Sequence, residues 1–242
     1  MNKDKKLFLS IIILLLAFMI VVGIFTFKDK KEGNISVNTD AINFKNEYES
    51  LNNVVNEKNG KTHKELVIAD DNPVEIVSEE KTLELLEKGT GLIYMGFPDC
   101  PWCRSMVPVL LQTLDNSGID KLYYLNISDI RDVLVLNDKN KVEVTKEGTP
   151  SYYKMLDILD DVLEPFYLTN DEGKMIDTKE KRILAPTVIG IKKGEIVGIH
   201  VATVESQTDP YEALTNVEQE ELSNKYLELI NKVYEVGCDE AC

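Results

Sequence analysis

The chain has 242 residues, with 42 acidic against 27 basic side chains and a formal net charge of −15. That balance disfavours a nucleic-acid partner, because phosphate binding needs concentrated Lys and Arg and no basic stripe occurs. The length gives room for one sizeable globular domain with attachments, able to bury a core without covalent staples.

The first predicted element is Leu7 to Phe27, a run without a charged side chain and long enough to cross a bilayer core of about 30 Å. Lys3, Lys5 and Lys6 precede it; Lys28, Lys30 and Lys31 follow it. A cleaved signal peptide is the alternative, but its apolar region would be only about 7–15 residues long. The end of the run, Val22-Gly23-Ile24-Phe25-Thr26-Phe27, also lacks a clear pair of small residues for a peptidase. We therefore expect a short tail over residues 1–6 and a single-pass transmembrane anchor over residues 7–27. The flanking lysines balance, and the free amino group tips the amino terminus toward the cytoplasm. The rest of the chain is then extracytoplasmic at the cell membrane, where disulfides persist. The four cysteines, Cys100, Cys103, Cys238 and Cys242, fall into two close pairs, as such a compartment favours.

Residues 28–73 read as a tether and an N-terminal extension. Within it, Phe44, Tyr48, Leu51 and Val55 recur at spacings of four, three and four, which predicts a short amphipathic helix over Asn43 to Val55, broken by Asn59-Gly60. Glu65 to Ile68 and Val74 to Val77 are short strand candidates on either side of Asp70-Asp71-Asn72-Pro73. Ser78 caps a helix that runs to about Lys88 and stops at Gly89. Gly91 to Phe97 reads as a buried strand, Met106 to Leu111 as the apolar part of a helix, and Lys121 to Ile127 as a second buried strand. Strand, helix and strand in this order imply a right-handed parallel crossover. Reactive groups in such sheets sit beyond the carboxyl ends of the strands.

The segment from about 129 to 182 reads as an insertion: a hairpin over Asn137 to Lys146, a helix over Ser151 to Leu163, and a hairpin over Phe166 to Ile176. That last hairpin turns at Asn170-Asp171-Glu172-Gly173, whose acidic residues lack the alternating ligand series of a calcium loop. Val188 to Ile191 and Ile196 to Ile199 flank Lys192-Lys193-Gly194-Glu195 as a further hairpin. Asn216 to Val236 closes the chain as a helix with Leu222, Tyr226, Leu229, Ile230 and Val233 facing inward.

Cys100-Pro101-Trp102-Cys103 lies at the strand-to-helix junction, which is the signature of a dithiol redox centre. Backbone N–H groups at a helix start carry partial positive charge and favour a thiolate, the species that attacks a disulfide. Cys100 is read as the nucleophile and the more exposed sulfur, Cys103 as the resolving thiol one turn inward, and Trp102 as an exposed contact for substrate. The alternatives are an inert structural disulfide or a zinc site made of all four thiolates. Cys238 and Cys242 pair with each other as a structural disulfide after Gly237, or serve as an auxiliary dithiol. No metal site is otherwise expected. His63, in a polar turn, and His200, in a strand, do not form a catalytic pair; Arg104 and Arg182 are read as solvated surface, the alternative being that they lend positive charge near the thiols.

Together these residues resemble the thioredoxin superfamily. The segment Cys103-Arg104-Ser105-Met106-Val107-Pro108 is similar to the family's active-site helix, with a proline five residues after the second cysteine. Ala185-Pro186-Thr187-Val188, followed by Lys193-Gly194-Glu195-Ile196-Val197, resembles its cis-proline loop and adjoining hairpin. The resemblance covers roughly Val74 to Val236. With the anchor and the lead-in Gly96-Phe97-Pro98-Asp99, the chain looks like bacterial membrane-tethered thioredoxin-like proteins, some labelled bacteriocin transport accessory proteins.

The resemblance implies an α/β thioredoxin-like fold over residues 74–236, a central mixed sheet flanked by helices, with the insertion before the cis-proline loop. It implies that Pro186 packs beside the cysteines and that the backbone of Ala185 pairs with an extended substrate. Thioredoxin keeps a buried Asp where this chain has Tyr94, and that Asp's partner lysine aligns with Tyr124. The expected activity is thiol–disulfide exchange on protein clients with an unidentified redox partner. The Cys100/Cys103 pair itself would carry the electrons, so no organic cofactor is implied. The alternative is a redox-inactive accessory module of the same fold, holding a membrane or secretion partner.

Overall fold

The computed structural model describes residues 38–57 and 59–234. The predicted anchor at 7–27 and the Cys238/Cys242 pair lie outside these residues. Among the described residues, no helix is long and apolar enough to cross a membrane.

The extension begins with helix α1 (Thr39–Glu49), whose N-cap Asn38 accepts from the amides of Asp40 and Ala41 and buries Ala41, Phe44 and Tyr48. The Glu65 to Ile68 segment is buried on alternate residues like a strand, with Leu66 and Ile68 inward and Val67 85% exposed. It pairs with no strand. The Asn52 side chain instead brackets Leu66, donating to its carbonyl at 2.8 Å and accepting from its amide at 2.9 Å. Glu49 accepts from the Ile68 amide at 2.8 Å. Side chains here satisfy backbone groups that a ladder would otherwise take.

Next come β1 (Val74–Ile76), α2 (Glu79–Lys88), β2 (Gly91–Gly96), α3 (Pro101–Asn116) and β3 (Leu122–Asn126). Ser78 caps α2 through the Lys81 amide, and Gly89 ends it. The insertion follows as β4 (Val133–Leu136), β5 (Val142–Lys146), α4 (Pro150–Leu159), a 3₁₀ turn (Asp160–Val162), β6 (Pro165–Thr169) and β7 (Met175–Lys181). Each of its two hairpins turns on an asparagine, Asn137 or Asn170, whose side-chain oxygen accepts two amides of the turn. Last are β8 (Thr187–Lys192), β9 (Glu195–Val201) and α5 (Asn216–Tyr234).

Five strands form one mixed sheet in the order β1-β3-β2-β8-β9, with β1, β3 and β2 parallel and β8 and β9 antiparallel to their neighbours. Strand alternation sorts its side chains into two layers. Leu92, Tyr94, Tyr124 and Val188 join residues of α1, α3 and α5 in one core. Ile93, Met95, Leu125 and Ile189 join α2 and α4 in the other. Gly190 sits where α5 presses on the sheet: a Cβ there would meet Val233 at 3.0 Å. The later hairpins and helices form, although the first hairpin begins earlier, at Val133, so that Asn137 lies in its turn. The Ser151 to Leu163 helix starts one residue earlier and tightens to 3₁₀ after Leu159. The extension helix does not run from Asn43 to Val55: the Asn38 cap starts it at Thr39, it ends at Glu49, and Leu51 and Val55 lie beyond it, Val55 exposed.

Candidate active site

Sheet topology brings the two halves of the site together. β2 and β8 are antiparallel neighbours with Met95 opposite Thr187, so the carboxyl end of β2 and the start of β8 lie at the same end of the sheet. The turn Phe97-Pro98-Asp99 follows the first, and the loop Ile183 to Pro186 leads into the second. The Ala185–Pro186 peptide bond is cis, as the resemblance implies. Thr187 fixes the loop by donating its hydroxyl to the Leu184 carbonyl at 2.6 Å, and Pro186 accepts from the Ala202 amide at 2.8 Å.

Cys100 is the N-cap of α3, in extended conformation, and its sulfur accepts from the Cys103 amide at 3.3 Å. A sulfur here takes the position usually held by Ser, Thr or Asp, and Pro101 at the first helical position gives up no needed N–H. The Cys100 thiol donates to the Ala185 carbonyl at 3.3 Å, across the gap between helix and proline loop. Neither Cys100 nor Cys103 is in a disulfide in this structure. Cys100 is 5% exposed and Cys103 0%, so Cys100 is the outer sulfur, as expected.

The two thiols titrate apart. Cys100 is lowered from its ordinary value, first because the Cys103 thiol donates to it and then because the Cys103 and Trp102 amides and the Arg131 charge favour its anion; burial opposes them. Cys103 is pushed well above the ordinary range by burial, with the neighbouring Cys100 adding to the effect. The outer sulfur is therefore the readier thiolate, and the inner one holds its proton.

Trp102 is half-buried against the core around the cysteines rather than fully exposed. Ala185 is half-buried and Pro186 buried. Arg104, expected at the surface, is 1% exposed. Its guanidinium donates to the Tyr48 carbonyl at 2.7 Å, to the Lys64 carbonyl at 2.6 Å and to Asn52 Oδ1 at 2.6 Å, so it clamps the extension onto α3. Arg182 is also largely buried and pairs with Asp132 inside the insertion. The cation that bears on Cys100 is Arg131, stacked 4.8 Å over the Phe97 ring. It was missed because it lies 31 positions along the chain, at the start of an insertion without a readable motif.

His63 is not in a solvated turn. It is buried, with Nε2 3.0 Å from Oδ1 of Asp99, the residue before Cys100. Asn56 donates to the same oxygen at 3.3 Å. His200 lies in β9 with Nε2 on the Thr203 carbonyl, and burial lowers its pKa. A cavity of about 180 Å³ beside α3 is lined by Lys64, Leu66, Arg104, Ser105, Pro108 and Leu214, among others; neither cysteine lines it. Among the described residues, no group of three His, Cys, Asp or Glu side chains is placed to hold a metal ion.

A scan against protein-family models and a search of curated proteins both return no match for this chain.

Proposed function

We propose that the chain is a thioredoxin-like thiol–disulfide oxidoreductase, tethered to the cell membrane through residues 7–27 and acting on protein clients outside it. The observation that carries this reading is the setting of Cys100. Its sulfur is held at a helix start between the Cys103 amide and the Ala185 carbonyl, beside a cis-proline loop, with a fully buried thiol behind it. A structural cysteine needs no such asymmetry, whereas exchange chemistry needs one ready thiolate and one held in reserve.

In the reductive direction the Cys100 thiolate attacks a client disulfide. A Cys100–client bond forms, the client S–S bond breaks, and the departing client sulfur takes a proton. Cys103 then loses its proton and attacks Cys100. The client's second sulfur leaves, and the pair becomes a disulfide that a redox partner must reduce. Run backward, the same steps oxidise a client dithiol. On this reading a client segment would touch Trp102, half-buried next to the outer cysteine, and the Ala185 backbone across from it, with Pro186 buried in the loop that carries Ala185.

Cys103→Ala removes the resolving thiol and leaves Cys100 able to form mixed disulfides. Expressed in cells, it should accumulate covalent client adducts that a reductant releases, and mass spectrometry should identify extracytoplasmic proteins in them. Absence of adducts with Cys103→Ala, together with no insulin reduction by the wild-type chain, would favour a binding module.

A further inference from the structure

Cys100 draws on the amides at the start of α3, and a competing anion stands one residue away. Asp99 is the third residue of the turn Phe97-Pro98-Asp99-Cys100, which the Cys100 amide closes onto the Phe97 carbonyl at 3.3 Å. It therefore lies just ahead of the helix N-cap. A carboxylate there is drawn to the partial positive charge of the first helical turn, as a thiolate is. Set against the Trp102 and Cys103 amides, it would compete with the sulfur for them and repel its anion.

The carboxylate is engaged by the extension. His63 Nε2 lies 3.0 Å from Asp99 Oδ1, and Asn56 donates to the same oxygen at 3.3 Å. Both donors are buried, His63 at 2% exposure and Asn56 at 6%, whereas the Asp99 side chain is 41% exposed. Nδ1 of His63 is buried without a hydrogen-bond partner, and a carboxylate only accepts, so the ring hydrogen belongs on Nε2. Backbone bonds fix the two donors. The Asn53 amide donates to the His63 carbonyl at 3.2 Å, the His63 amide to Val54 at 2.8 Å and the Asn56 amide to Lys61 at 2.8 Å. The Tyr211 ring lies 6.2 Å from the His63 ring, centroid to centroid, with Lys61 over it and paired to Asp209. Arg104 also feels the Asp99 charge, but its guanidinium donates to the Tyr48 and Lys64 carbonyls and to Asn52.

We propose that His63 is a positioning residue for Cys100: by holding the Asp99 carboxylate, it keeps the helix-start amides for the sulfur. The inference rests on, and deepens, the exchange reaction proposed above. No proton or electron passes through His63; its effect reaches the sulfur only through Asp99. The other charged or titratable groups that bear on Cys100 are Cys103 on α3 and Arg131 in the insertion, and the test leaves both in place.

The test uses the reduced, detergent-solubilised full chain carrying Cys238→Ser and Cys242→Ser, and follows iodoacetamide alkylation of Cys100 against pH by peptide mass. His63→Leu fills the site without a donor. The loosened carboxylate should move the alkylation midpoint up by about one unit, the lower end of what a neighbouring charge does. His63→Gln can still donate to Asp99 and should stay close to the parent. His63→Leu/Asp99→Asn has no carboxylate to compete, and should bring the midpoint back at least to the parent value. A midpoint unmoved by His63→Leu, or one left high in the double variant, would overturn the inference. In the second case His63 would be a packing residue alone. A readout that needs no variant to fold is the ¹⁵N-histidine NMR spectrum of the parent chain in alkaline solution. It should show the His63 hydrogen on Nε2; a hydrogen on Nδ1 would overturn the inference, because the ring could not then donate to Asp99. The exchange reading fails by a different result. A parent chain that neither reduces insulin nor oxidises a reduced protein, with Cys100 alkylating no earlier in pH than an ordinary thiol, would overturn that reading and the role of His63 with it.

Discussion

At Cys100 the chief stabiliser of the thiolate is the thiol of Cys103, followed by the amides of Cys103 and Trp102, with the charge of Arg131 a smaller contribution. That order predicts the effect of substitution on the pH profile of alkylation. Removing a stabiliser of the anion raises the pKa, so the midpoint of iodoacetamide reaction at Cys100 should move to higher pH in both Cys103→Ala and Arg131→Gln. Cys103→Ala should give the larger displacement. The Arg131 change should be below about one unit, because a cation in direct contact is worth about 1–3 units and this one ranks last among the favourable causes. Equal midpoints in Arg131→Gln and the parent chain would show that the guanidinium stacked on Phe97 does not reach the sulfur. Arg104 is closer to Cys103 along the helix, yet it is spent on carbonyls of the extension and is not among the causes acting on either thiol.

Among the elements, those with both a period and a boundary residue were legible. Ser78 and Gly89 bracket α2, the apolar run of β2 is buried throughout, and the five inward residues expected of the last helix are the ones α5 buries. Glu65 to Ile68 shows why period alone misleads: alternation specifies which side chains are buried, not what pairs with the backbone, and here Asn52 and Glu49 do so. The cysteine pair and proline loop could be read because local spacing carries their chemistry. Arg131 and His63 could not, since each lies in a loop far from Cys100 in sequence and only tertiary packing brings it to Phe97 or Asp99.

The turn between β8 and β9 gives a test at this scale. Lys193 and Gly194 both have positive φ, as a tight hairpin requires. Gly194 at φ +80° also lies against α2, where a Cβ would sit 2.1 Å from the Glu87 carbonyl oxygen. Gly173 has φ +78° with nothing within 4 Å. Ala at residue 173 should therefore cost only the conformational term, about 1–2 kcal/mol. Ala at residue 194 should cost about 1–3 kcal/mol more, because backbone must move. Urea unfolding of both variants measures the difference; equal losses would mean that the β8–β9 turn does not press on α2.

For the molecule as a whole, the extension is part of the core and not a spacer. Phe44 and Tyr48 pack against Tyr94 and Tyr124, the two tyrosines that back the cysteines. Leu66 and Ile68 are buried in the same cluster, and Arg104 finds most of its acceptors in residues 48–64. Burial of four such apolar side chains is worth about 1.5–3 kcal/mol each. A stranded buried charge costs several kcal/mol more. Those losses rival the whole stability of an ordinary domain, about 5–15 kcal/mol. A chain begun at Val74 should therefore keep far-UV helix signal but lose near-UV signal, bind ANS and melt without a sharp transition. A chain begun at Asn38 should unfold cooperatively. If the Val74 chain instead unfolds as sharply as the Asn38 chain, the sheet and its other helices suffice, and the Arg104 clamp serves only to hold the extension near Cys100.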